Sequence, residues 1–270
     1  MSTSRRDFVR FLAGGAGAGW LVVSGDPFRA ERQPEPSSET TGPLATFPHQ
    51  DPALVRETVA VSHGNLPRLQ ELVDAFPELA KAAWDWGFGD WETALGAASH
   101  MGHRPIAEFL LTHGARLDLF AAAMLGDLAV VRGLIVAHPG IQGTPGPHGL
   151  TLLAHARAGR DPAREVVAYL ESVGGADPVA ATVPADRAAR LAGEYVFGPG
   201  PQDRFTITWR DERLEFHPEN GTARRLLRVA DDQVHPSGAP SIVLRFEPSG
   251  RQPDRVIIDR LGLTASRVDP

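Results

Sequence analysis

The chain has 270 residues, 42% hydrophobic and 22% charged, enough for one large domain or two modest ones. Lys plus Arg is 27 against 33 Asp plus Glu, a net charge of -6, so no basic surplus exists to neutralise a phosphate backbone and nucleic acid is not an expected partner. The absence of cysteine excludes disulfides, a disulfide-linked partner, thiolate metal ligands and cysteine nucleophiles. Lys81, the only lysine, lies between Ala80 and Ala82 with Glu78 three residues before it. Neither a phosphate-binding Gly-Lys-Ser/Thr loop nor a Ser-x-x-Lys hydrolase site can therefore be built. The Gly-x-Ser-x-Gly elbow of serine hydrolases is absent as well.

At the start of the chain, Ser4-Arg5-Arg6-Asp7-Phe8-Val9-Arg10 precedes a weakly apolar run from Phe11 to Val23. That run is too short for a membrane-spanning helix, which takes about 20 residues, but suffices for the apolar core of an export signal behind a positive end. The segment resembles the bacterial twin-arginine signal, Ser/Thr-Arg-Arg-x-Phe-Leu-Lys, with Val9 and Arg10 in the last two places. The resemblance implies a periplasmic or otherwise extracytoplasmic protein, exported folded, with an anchor through an uncleaved signal left open. Residues 1–30 are read as the signal segment. Residues 31–51 are read as a disordered linker, rich in Pro, Glu, Ser and Thr and unable to bury a core.

From 52 to 177 the chain repeats. Ala60-Val61-Ser62-His63-Gly64-Asn65, Ala98-Ser99-His100-Met101-Gly102-His103 and Ala122-Ala123-Met124-Leu125-Gly126-Asp127 share a small-residue helix end followed by glycine, and Ala156-Arg157-Ala158-Gly159 is a shorter fourth copy. Leu72, Leu110 and Leu134 each follow eight residues after the glycine and are expected to fill the core. Thr93-Ala94-Leu95-Gly96-Ala97-Ala98 and Thr151-Leu152-Leu153-Ala154-His155-Ala156 resemble the Thr-Pro-Leu-His-x-Ala element of ankyrin repeats, without its Pro and His. The resemblance implies an α-helical, ankyrin-like solenoid of about four repeats whose concave face binds a partner.

Two features depart from the repeat. Trp84-Asp85-Trp86-Gly87-Phe88-Gly89-Asp90-Trp91-Glu92 is longer and more aromatic than a simple finger needs, and sets three carboxylates beside three indoles. It reads as a recognition finger, or as a segment whose tryptophans fold back over the first helix pair while its acids cap helices. Histidine is the second feature: His63, His100, His103, His113, His138, His148 and His155 all fall in the repeat region. His100 and His155 can project toward the groove shared with Asp85 or Asp90, as a mixed His/carboxylate metal site or an acid–base pair, although no strict ligand spacing such as His-Glu-x-x-His occurs.

After a linker at 178–186, the pattern from 187 to 270 alternates: Phe205, Ile207 and Trp209; Leu214 and Phe216; Ile242, Leu244 and Phe246; Val256 and Ile258. Turn signals between them predict five to eight short antiparallel strands, forming a small antiparallel β-sheet or half-barrel. Leu191-Ala192-Gly193-Glu194-Tyr195 and the strand spacing resemble the lipocalin-like accessory domain of penicillin-binding-like serine esterases, which implies packing or binding and not catalysis. A small-molecule ligand of this domain is not excluded, but it requires an internal cavity.

The expectation is thus an α+β multidomain chain that binds another envelope protein through Asp85, Trp86, Phe88, Asp90, Trp91, Glu92, His100 and His155. No catalytic residue, metal ligand or cofactor is assigned. The alternative is a metal-binding protein or enzyme that uses a His/carboxylate cluster on the same face.

Overall fold

The computed structural model describes residues 49–268 apart from 180, 220–222, 259 and 261. The segment 1–30 and most of the linker 31–51 lie outside the described residues. His49–Pro270 makes one compact unit.

Helices come in pairs: α1 (Pro52–Val61) with α2 (Leu66–Ala75), α3 (Ala94–His100) with α4 (Arg104–Thr112), α5 (Leu119–Leu125) with α6 (Leu128–Ala137), and α7 (Leu152–Ala158) with α8 (Arg164–Val173). Most begin where a side chain takes over an orphan amide. Asp51, Asn65, Thr93, Asp118, Asp127 and Thr151 accept from Ala53, Arg68, Gly96, Ala121, Val130 and Ala154. The lead helices α1, α3, α5 and α7 pack side by side, and the buried Ala94, Ala97, Ala98, Ala121, Ala122 and Ala156 let their backbones approach closely. The second helices bury one stripe each, such as Leu69, Leu72 and Val73 in α2 and Ile106, Ala107 and Leu110 in α4. Leu72 and Leu110 are core residues as their spacing predicts, whereas Leu134 is half-buried.

Between the first two pairs runs a short hairpin, β1 (Ala83–Asp85) and β2 (Trp91–Thr93), with Trp84 opposite Glu92. After α9 (Ala185–Leu191) the chain forms eight antiparallel strands: β3 (Gly193–Val196), β4 (Arg204–Arg210), β5 (Arg213–Pro218), β6 (Arg224–Ala230), β7 (Gln233–Pro236), β8 (Leu244–Glu247), β9 (Arg255–Ile258) and β10 (Leu263–Val268).

These strands correct the expected fold class. A solenoid followed by a small sheet or half-barrel is not what the chain forms: each strand pairs with the next, and β10 returns to β3 with Arg267 opposite Tyr195, closing a complete eight-stranded barrel. The barrel belongs to the same compact unit as the helix pairs. Closure removes the two exposed edges that a half-barrel would leave. Alternate residues fill its interior, among them Tyr195, Phe205, Ile207, Phe216, Leu244, Phe246 and Val256, and Leu191 of α9 packs into the same core. An apolar recess of about 390 Å³ remains at one end, between Phe88, Phe197, Phe216 and Leu263.

Candidate metal centre

Four side chains converge where the helix pairs meet the barrel. His63, Glu92, His100 and His148 each bring one donor atom to a common point, all within 4.8 Å of one another. They come from the turn after α1, from β2, from the last residue of α3 and from the turn Pro147–Gly149 before α7. The strand period of two places Glu92 inward while its neighbour Trp91 points out, 64% exposed. Glu92 Oε1 lies 2.9 Å from His100 Nε2 and 3.2 Å from His148 Nε2, and Oε2 lies 3.5 Å from His63 Nε2. An ion with bonds of about 2.0–2.1 Å to nitrogen and oxygen has ligand-to-ligand separations of roughly 3.3 Å in tetrahedral geometry.

Surrounding groups orient these donors. His63 Nδ1 donates to the carbonyls of Val59 and Ala60, both at 3.1 Å, which leaves the Nε2 lone pair facing the site. His148 Nδ1 donates to Asp90 Oδ2 at 2.7 Å, and the His148 amide donates to Asp90 Oδ1 at 2.9 Å, which aims its Nε2 inward as well. A carboxylate or carbonyl behind an imidazole is the arrangement that fixes the tautomer of metal-bound histidine. Trp86 Nε1 donates to Glu92 Oε2 at 2.7 Å, so Oε1 is the oxygen turned to the His100 and His148 imidazoles. His148 holds φ 60, an unusual conformation for a residue other than glycine, and its two bonds to Asp90 keep it there.

Without an ion the cluster balances its charge with a proton. Burial pushes the Glu92 carboxyl up, but the hydrogen bonds from His100 and His148 outweigh that and hold its pKa at about 2. Burial likewise disfavours charge on His148, yet Asp90 and Glu92 raise its pKa to about 9. Asp90 is held below the usual carboxylate range, its burial outweighed by His148 and by Arg224, the barrel residue paired with it. His148 is therefore a proton-bearing bridge between two carboxylates, at a position where a divalent ion can replace the proton.

No protein-family model, curated protein or solved structure matches this chain.

The residues expected to touch a partner take different places. Asp85 Oδ1 accepts from the amides of Gly87 and Gly89 and shapes the finger turn. Trp86 packs half-buried against the helical core, and Phe88 packs edge-on against Phe216 of the barrel, 5.3 Å between centroids. Asp90 and Glu92 are buried at 2% and 1%, so Trp91 is the one member of the finger's aromatic-acidic set that is exposed. His100 joins the cluster. His155 does not: it is fully buried, its Nδ1 donates to the Thr151 carbonyl, its Nε2 has no partner, and burial lowers its pKa to about 4. The expected pairing of His100 and His155 with Asp85 or Asp90 is thus replaced by His63, His100 and His148 around Glu92, with Asp90 behind His148. A sequence signal for two of these existed, because His63 and His100 both sit at the C-terminal ends of neighbouring lead helices.

Proposed function

We propose that this chain is a metal-binding protein that holds one divalent first-row transition ion at His63, Glu92, His100 and His148. The observation that carries the reading is the convergence of three imidazoles on one buried carboxylate, with the far nitrogens of His63 and His148 already engaged. Imidazole and carboxylate without thiolate suit zinc and its neighbours in the row, and a tetrahedral arrangement asks nothing of the ion's d electrons. In the ion-free cluster the His148 proton and Arg224 balance the two carboxylates, and a divalent ion can take the place of that proton. The finger that reads in sequence as a contact surface supports this role better, because it delivers Glu92, Trp86 and Asp90 to the cluster. The segment Ser4–Arg10 supports an extracytoplasmic place of work.

The test is elemental analysis of protein prepared without chelator, followed by equilibrium dialysis of the stripped protein against Zn²⁺ and Co²⁺. One ion per chain is expected, with affinity reduced at least a hundredfold in H63A, H100A, H148A and E92Q and unchanged in W91A. Folded wild-type protein that takes up neither ion at micromolar concentration would sink the reading.

A further inference from the structure

The four donors all belong to the helical side of the site. The opposite side is formed by the barrel residues Ala223, Arg224 and Ser237, and between the two sides lies a cavity of about 250 Å³ with His63, Trp86 and His148 on its inner wall. At about 30 Å³ per water this is room for about eight waters or for one small organic molecule, just below the range of a drug-sized pocket. Because Trp86 occupies Glu92 Oε2, the carboxylate offers the ion one oxygen. His63 and His148 belong both to the donor cluster and to the cavity wall, so an ion held by the four donors would lie beside the cavity, and ions of the zinc class accept a fifth ligand.

Charge says what that position takes. A divalent ion brings two positive charges, Glu92 and Asp90 one negative charge each, Arg224 one positive, and ligating imidazoles are neutral. One positive charge is left over in a largely buried place. Asp85, the remaining finger carboxylate, is turned to the amides of Gly87 and Gly89. An unbalanced buried charge is costly, so the loaded site favours one anion.

We infer that the metal-loaded protein binds a small monoanion of the carboxylate class at this fifth position, with its apolar part against the Trp86 indole and its charge beside Arg224. The inference rests on the metal reading above. It deepens that reading by assigning a ligand class to the cavity.

The experiment loads the protein with Co²⁺ and titrates it with azide and with acetate, following the visible d–d bands and the cobalt content together. A saturable spectral shift at millimolar anion is expected, one anion per cobalt, while acetamide, the neutral isostere of acetate, leaves the spectrum unchanged. S237F and A223L, which fill the cavity from the barrel side, should weaken azide at least tenfold with cobalt content and circular dichroism preserved. A cobalt spectrum indifferent to both anions overturns the inference and leaves the metal centre standing; failure to take up cobalt overturns both. Azide affinity unchanged in the two filled variants, both folded, removes the cavity as the binding place and overturns the inference as well.

Discussion

Asp90 does three jobs with two oxygens. Oδ1 accepts the His148 amide, Oδ2 accepts His148 Nδ1, and Oδ2 also meets the Arg224 guanidinium. Replacing it with asparagine keeps the shape but turns an acceptor into a donor facing His148 Nδ1–H. Metal affinity in D90N should fall about 10- to 100-fold, the usual cost of losing a partner behind a metal ligand, as measured by Co²⁺ competition. The histidines also set a pH profile for the stripped protein. His155 has a folded pKa of about 4 against a usual 6.5, so its contribution is present above about pH 6.5 and is lost as the pH falls toward 4. His148 has a folded pKa of about 9, so its contribution is present below about 6.5 and is lost as the pH rises through 9. Stability in denaturant should therefore peak near pH 6.5, each limb worth on the order of 3 kcal/mol. H155N should flatten the acid limb and H148N the alkaline one; limbs unchanged in these variants would refute the assignment. At this scale the sequence reveals chemistry without partnership. Asp90, Glu92 and His100 stand out by composition of the finger and by turn position, but Asp90 and His148 are 58 residues apart, and no local spacing announces their contact.

Two glycines separate the effect of a turn from the effect of a contact. Gly87, φ 109, opens the finger turn with nothing near the place a Cβ would occupy, whereas Gly238, φ 82, in the segment between β7 and β8, has Asp90 Oδ1 2.6 Å from that place. Gly87→Ala is expected to cost about 1 kcal/mol or more from backbone conformation alone, with metal affinity held. Gly238→Ala pays the same strain and also displaces Asp90, so both melting temperature and Co²⁺ affinity should drop; equal affinities in the two variants would show that the barrel segment does not brace the site. Element identity is legible in the sequence where periodicity is strong: capped helices with a small-residue face, a glycine-pinned finger, strands of period two. Barrel closure is not, because the pairing of β10 with β3 joins Arg267 to Tyr195 across the whole domain and leaves no mark on the local pattern of either strand.

At the scale of the molecule, Arg224 connects the barrel to the proposed metal ligands, through its buried ion pair with Asp90 and its Nη1 2.9 Å from His148 Nδ1. Arg224 begins β6, and its Nη2 also donates to the Trp86 carbonyl at 3.3 Å, so one guanidinium spans the barrel, the finger and the residue behind His148. Truncating one partner of such a pair leaves the other charge buried and unpaired, at a cost of about 3–5 kcal/mol. An ion bound by the helical side should consequently stabilise the barrel too. At a hundredfold excess over its dissociation constant it adds about 2.7 kcal/mol to the folded state. Hydrogen exchange resolves where that stabilisation goes. In the wild-type protein, chelation should lower amide protection in α3 and, with it, in β6 and β7. In R224M the loss should be confined to the helical side. The comparison is decisive in either direction, because barrel amides that ignore the ion in the wild-type protein would show that the Asp90–Arg224 pair carries no stabilisation to the sheet, and the barrel would then be a neighbour of the site without being part of it.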